Sequence, residues 1–445
     1  MMDVLKIRLV IRINFNEKNN INFFFAFTNT EAATISDYEI ESLIKDYLIL
    51  IQVNNNTKKN IRFSIILDDN PNAFINEKKI LFISTGLLKY IPTYEALIGV
   101  LAHELGHLEN FHITKRIESI KSLKSFHNFS TLSVIAASLL ANNSDYLLQS
   151  MVTNQVNIQN YYSSFSREQE READIYAAQT LNHLRISSIP LKKFLKILEK
   201  KSFQKGLNED NFKFSSHPVY TERFDILENI SIKQKHVYYS DLSNRFNFIK
   251  AKLFGFTENN NDKLYEHLNN DYYNYANSII ISRNGKLKDS LIILNKLINK
   301  YPTNFYLLET KADLLLTHGY SNEAKRFYDI VLQKDNNNHY VKKRIFEIEY
   351  EKIDKKNNVI NQKFFDNFSD LMIVFQNDNI LQKKFKKIAF LVQKYEWIDF
   401  IDANILLNSA SNDQALEKYK NILINSKDKK LIQFAKQIIK QISNE

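Results

Sequence analysis

His103-Glu104-Leu105-Gly106-His107 is the stretch whose residue types and spacing could do chemistry. Written as a pattern it is H-E-x-x-H. On a helix its two imidazoles stand at i and i+4, one turn apart on one face and near enough to hold a single metal ion. Glu104 lies one residue round from His103, where its carboxylate can take a proton from a water on that metal. This is the minimum equipment for zinc-assisted hydrolysis of a peptide bond. So short a pattern also arises by chance, so the surrounding chain has to supply a helix and a further donor.

The helix signals are present. Pro92-Thr93 and then Glu95 provide a breaker, a capping hydroxyl and an acidic first turn, and Leu97, Ile98, Leu101, Leu105 and Leu108 recur at helical spacing. Two histidines and a glutamate buried on such a helix would be costly without a partner. His112 invites a longer motif with a third histidine. That motif, however, needs Gly and His where this chain has Asn110 and Ile113, so His112 reads as structural. A third donor is better sought between Ser166 and Asp174. There Glu170 and Asp174 are four residues apart and share a helical face, while Glu168 and Glu172 point elsewhere. A solvated charged helix is the bland alternative. Against it, the segment runs on into Ile175, Ala177, Ala178 and Leu181, an apolar face that needs a core.

The elements that must position these residues read as follows. Residues 35–51 have helical apolar spacing, 61–67 alternate as a strand, and 73–75 and 80–84 read as two strands joined across Asn76-Glu77-Lys78-Lys79. The strand at 80–84 lies just ahead of the metal helix. If its edge were exposed, an extended peptide could add to the sheet there and be held beside the metal.

The whole chain bounds the answer. Its 445 residues, 44% hydrophobic and 13% aromatic, are enough for two or three globular domains. The net charge of +10 is diffuse and Lys-rich, with no compact basic stripe interleaved with aromatics, so no nucleic-acid partner is expected. Cysteine is absent, which excludes disulfides, thiolate catalysis and Cys-ligated zinc together. No run reaches the length of a spanning helix. The best candidate, the uncharged apolar run 129–141, is too short to span and reads as a core helix, a lid or a segment leaning on a membrane. Residues 1–34 carry Lys6, Arg8, Arg12 and Lys18, then a short apolar patch and Ala32-Ala33. This is the outline of a weak export signal or an unstructured N-terminus.

Together, H-E-L-G-H and the S-R-x-x-E-x-E-A-D run some sixty residues later resemble a family of gluzincin zinc metallopeptidases, the beta-barrel assembly-enhancing protease and zinc CAAX prenyl endopeptidase type. Asn72-Ala73-Phe74, the I-S-T-G-L-L of 83–88, Ser216-His217-Pro218 and Ala251-Lys252-Leu253 with Gly255-Phe256 fit its soluble bacterial branch. The resemblance spans about 35–256. It implies one zinc ion per chain on His103, His107 and Glu170, with Glu104 as general base and Asp174 orienting a ligand. It also implies that His217 is either a fourth, resting-state zinc ligand or an oxyanion partner, assisted by Arg223. Without the resemblance, His217 reads as a loop histidine between Ser215-Ser216 and Pro218.

From about residue 263 the pattern changes. Gly285 and Gly319, Ser290 and Ala324, Leu294 and Tyr328, and Leu297 and Val331 are each thirty-four residues apart. Ala403, Leu406, Ala415 and Tyr419 form a weaker copy, 429–442 reads as a capping helix, and 357–379 does not fit. The expected architecture is therefore α+β, a mostly helical zincin-like domain with a small β-sheet at 35–256. An all-α tetratricopeptide-like array follows at 263–445. The expected function is a zinc metalloendopeptidase acting on misfolded or incompletely assembled envelope proteins in a bacterial periplasm, with the repeats recruiting substrate or outer-membrane assembly machinery. The rival is a repeat-based assembly factor or chaperone whose zinc site is structural.

Overall fold

The computed structural model describes residues 34–57, 61–76, 78–115, 165–204, 221–230, 236–262, 264–353, 358–409 and 411–443. The chain divides into two compact units, 1–284 and 285–445. The expected export signal, the 129–141 run and His217 lie outside the described residues.

In the first unit, β1 (Thr34–Ile35) leads into α1 (Tyr38–Asn54). Residues 35–51 read as helix throughout, but the helix begins at Tyr38. Asp37 sits in the extended region and its side chain accepts from the Ile40 amide at 3.0 Å, leaving Ile35 free to pair with β2 (Arg62–Ile66). Next come β3 (Ala73–Ile75), β4 (Ile80–Ser84), α2 (Thr85–Tyr90) and α3 (Tyr94–Glu109). Beyond these lie α4 (Arg167–His183), α5 (Ile189–Gln204), α6 (Thr221–Asn229), α7 (Ser240–Thr257) and α8 (Asn270–Arg283).

The four strands run in the order β1-β2-β4-β3, with β2 and β4 parallel and both outer pairs antiparallel. The strand at 80–84 therefore does not offer a free edge: β2 covers one side and β3 the other. Among the described residues the edge on that side is β3, which also packs against α3. Gly86 sets the join between β4 and α2. A Cβ there would stand 2.3 Å from the Asp69 carbonyl oxygen, so only glycine lets this helix start come down on the 68–70 turn.

Helix α7 is tied to the sheet side by two buried lysines. Lys89 Nζ meets Asp69 at 2.7 Å and Glu258 at 2.6 Å, and Lys252 Nζ meets Asp37 at 2.7 Å and Glu39 at 3.2 Å. Burial pushes the Glu39 carboxyl up to about 7 although Lys252 pulls the other way. A carboxyl raised in the folded state stabilises the fold below its ordinary pKa of 4.5 and loses that contribution as pH climbs to about 7. Glu39→Gln is thus expected to lessen the fall in stability from pH 5 to pH 8 by up to ~3 kcal/mol. The check is denaturant midpoints of both proteins at the two pH values; parallel shifts would count against it.

Helix α8 packs on α7 and belongs to the first unit, so the compact units divide some twenty residues beyond the start of the helical repeats read from sequence. Gly255 makes that packing close, since a Cβ there would lie 2.8 Å from Ile279 Cβ.

The second unit holds α9 (Leu287–Lys300), α10 (Tyr306–Thr317), α11 (Ser321–Lys334) and α12 (His339–Tyr350). Then come α13 (Asn358–Phe368), the single turn α14 (Leu371–Val374), α15 (Asn379–Leu391), α16 (Tyr395–Asn408), α17 (Asn412–Asn425) and α18 (Lys429–Ser443). Helices pack chiefly on their sequence neighbours, as stacked helical arrays do. The thirty-four-residue spacing is visible as structure. Gly285 and Gly319 turn the chain with φ of +84° and +87°, and Ser290, Leu294 and Leu297 occupy buried positions on α9 matched by Ala324, Tyr328 and Val331 on α11. The weaker copy preserves a contact as well. Tyr328 donates to Asp313, and Tyr419, ninety-one residues on, donates to Asn404 at 2.6 Å.

Candidate metal centre

Helix α3 starts where Thr93 accepts from the Ala96 amide, and from Ala96 to Leu108 nearly every side chain is buried. Helix α4 starts with a reciprocal cap: Gln169 N–H donates to Ser166 Oγ at 3.2 Å, and Ser166 N–H donates to Gln169 Oε1 at 2.9 Å. Its buried face is Glu170, Ala173, Asp174, Ala177, Ala178 and Leu181, a spacing of three and four. The two helices approach closely because small residues line the contact. A Cβ on Gly106 would stand 3.0 Å from Ala173 Cα. That approach carries Glu170 to the two histidines.

His103 Nε2 and His107 Nε2 stand 3.1 Å apart, and the Glu170 carboxylate closes a buried triangle with them, Oε2 lying 3.4 Å from His103 Nε2 and Oε1 3.5 Å from His107 Nε2. Tetrahedral coordination with legs of about 2.0–2.1 Å separates donors by about 3.3–3.4 Å. The three groups therefore fit one small divalent cation, and the donor set of two imidazoles and a carboxylate suits zinc. Glu104 is buried on α3 beside them, and its charge helps to hold Arg223 charged.

Behind the triangle stands a second layer. Asp174 accepts from His103 Nδ1 at 2.9 Å, which directs that ring's Nε2 toward Glu170, with protons assigned from the donor and acceptor pattern. Arg223, on α6, donates from Nε to Asp174 Oδ2 at 2.7 Å and from Nη2 to Asp174 Oδ1 at 2.9 Å, and its Nη1 stands 3.0 Å from Glu170 Oε2. Helix α6 is held in place by buried Phe224 and Leu227 and by Ser188 Oγ, which donates to the Leu227 carbonyl at 2.6 Å.

Electrostatics follow from this packing. Burial disfavours a charged His103, but Asp174 and Glu170 outweigh it and raise the imidazole to about 9. Burial likewise opposes charge on Asp174, and Arg223 and His103 overcome it, holding the carboxyl below its usual range. Burial opposes charge on Arg223 too, and Asp174 and Glu170 overcome it, pushing the guanidinium further up. The groups that favour a proton at His103 Nε2 would equally favour a cation there, so metal binding and protonation compete.

Of the residues singled out from sequence, His103, Glu104, His107, Glu170, Asp174 and Arg223 meet in one buried cluster. Arg223 reaches Asp174 and Glu170, and its Nη2 stands 3.5 Å from His103 Nδ1. The sequence reading missed what surrounds His107. His112 Nδ1 is 3.0 Å from His107 Nδ1, Glu172 reaches His112 Nε2 at 2.7 Å, and Phe165 stacks on the His107 ring at 3.7 Å. The signal was present in a histidine five residues past His107: the helical pattern reads on past His112, whereas α3 ends at Glu109 and the chain turns at Phe111 before His112.

An α+β unit carrying two histidines and a glutamate on neighbouring helices, with a further glutamate beside them, has the make-up of a metal-dependent hydrolase. Residues 35–231 match Peptidase family M48, and that stretch contains every member of the cluster. The match supports a metallopeptidase for this part of the chain. No curated protein matches the chain.

Proposed function

We propose that the first unit is a zinc-dependent metalloendopeptidase of the beta-barrel assembly-enhancing protease and CAAX prenyl endopeptidase type. The observation that carries this reading is the buried triangle of His103, His107 and Glu170 with Glu104 on the same helix. His103, His107 and Glu170 would hold the metal. When bound, zinc lowers the pKa of a coordinated water toward neutrality and polarises a carbonyl. Glu104 accepts the water proton and returns it to the leaving amine nitrogen. Asp174 keeps His103 turned to the centre, and Arg223 offsets the charge of the two α4 carboxylates.

The wider role follows the sequence resemblance. The enzyme acts on misfolded or incompletely assembled envelope proteins in the periplasm, and the helical array recruits substrate or assembly machinery. His217 is the fourth ligand of a resting state or an oxyanion partner. The described residues include no helix long and apolar enough to cross a membrane. Casein degradation abolished by phenanthroline and restored by zinc is the expected result. Tight casein binding with no cleavage under either condition would favour the chaperone with a structural zinc site.

A further inference from the structure

His107 is held from behind as firmly as His103, by residues outside the metal-binding motif. We infer that His112 and Glu172 are positioning residues for the metal, fixing His107 in the tautomer that can coordinate; this rests on the zinc reading above. His112 is fully buried, and its Nε2 stands 2.7 Å from Glu172 Oε2, whose side chain is 44% exposed. A carboxylate only accepts, so the proton of that bond is on Nε2 of His112, and in the neutral ring Nδ1 is left as an acceptor. His107 Nδ1, 3.0 Å away, is then the donor. With its proton on Nδ1, His107 presents a bare Nε2 to His103 and Glu170. The carboxylate of Asp174 imposes the same tautomer on His103.

The backbone is bent to build this contact. Helix α3 ends at Glu109, and the next residues are Asn110 and Phe111. Phe111 lies in the left-handed region at φ +58° and is 62% exposed. A non-glycine residue there is strained by about 1–2 kcal/mol. The turn carries His112 back beneath the last turn of α3, where its ring meets that of His107 edge-on at 5.2 Å between centroids. Phe165 stacks on the His107 ring at 3.7 Å and fixes its plane, and the hydrogen bond at Nδ1 sets which nitrogen carries the proton.

The test compares full-length wild type with His112→Leu, His112→Asn and Glu172→Gln, reading zinc affinity by chelator competition and the visible spectrum of the cobalt-loaded protein. His112→Leu removes the acceptor and is expected to weaken zinc about 10–100-fold and to alter the cobalt bands. His112→Asn places an amide oxygen where Nδ1 was and should restore most of the affinity, which lost packing alone would not allow. Glu172→Gln, a half-exposed site that leaves the core intact, should shift affinity in the same direction by less. Wild-type affinity and cobalt spectrum in His112→Leu, with Glu170→Ala losing the metal in parallel, would overturn the inference and leave the zinc reading standing. A wild-type protein that takes up no zinc would overturn both.

Discussion

Glu104→Gln should retain zinc and lose peptide cleavage by about 10²–10⁴-fold, the range set by removing a general base. The argument is geometric. Glu104 sits one residue after His103 on α3 and is buried, yet the donor triangle is complete without it. Glutamine has the same shape and still accepts a hydrogen bond, so the helix and the donors are undisturbed. Its amide cannot take the water proton at neutral pH. Zinc content and kcat measured on the same preparation decide the matter. Proteolysis at wild-type rate, with contaminating protease excluded, would end the assignment.

Arg223→Met tests the charge balance of the site. Glu104, Glu170 and Asp174 lie within one buried cluster, and Arg223 is the guanidinium set against two of them. Breaking a buried pair by deleting one partner costs about 3–5 kcal/mol, because the remaining charge is left uncompensated. The variant in chelator should therefore melt well below the wild type. Added zinc should recover more stability in the variant than in the wild type, since a divalent cation replaces positive charge at the carboxylates that lost it. Thermal melts of both proteins with zinc and with chelator provide the measurement. Equal melting in chelator would mean that the guanidinium carries no such burden. An oxyanion role alone predicts a loss of kcat with stability unchanged.

Much of this centre is legible in the chain because it depends on local geometry. The i, i+4 spacing of His103 and His107 puts both rings on one face wherever that helix forms, and the four-residue step from Glu170 to Asp174 does the same on α4. Apolar periodicity around each pair indicates which face is buried. The short α1 start and the covered edge of β4 were not legible, for a related reason. Ile35 suits either a helix or a strand by composition, and its pairing with Ile65 of β2 settles the matter. Whether a strand edge is free depends on the neighbour that reaches it.

What the sequence alone determined is the kind of chemistry available: two imidazoles on one helical face with a carboxylate one residue round from the first, a carboxylate pair on another helix, no thiol to compete, and a helical array of regular spacing after them. What only the tertiary structure decided is which of these groups touch. Glu170 reaches the histidines because Gly106 and Ala173 let α3 and α4 close to contact, Arg223 turns to Asp174 and Glu170 because α6 is anchored on α5, and His112 meets His107 because Phe111 reverses the chain. Each depends on packing between segments distant in sequence or on an irregular turn, and neither follows from the periodicity of a single element.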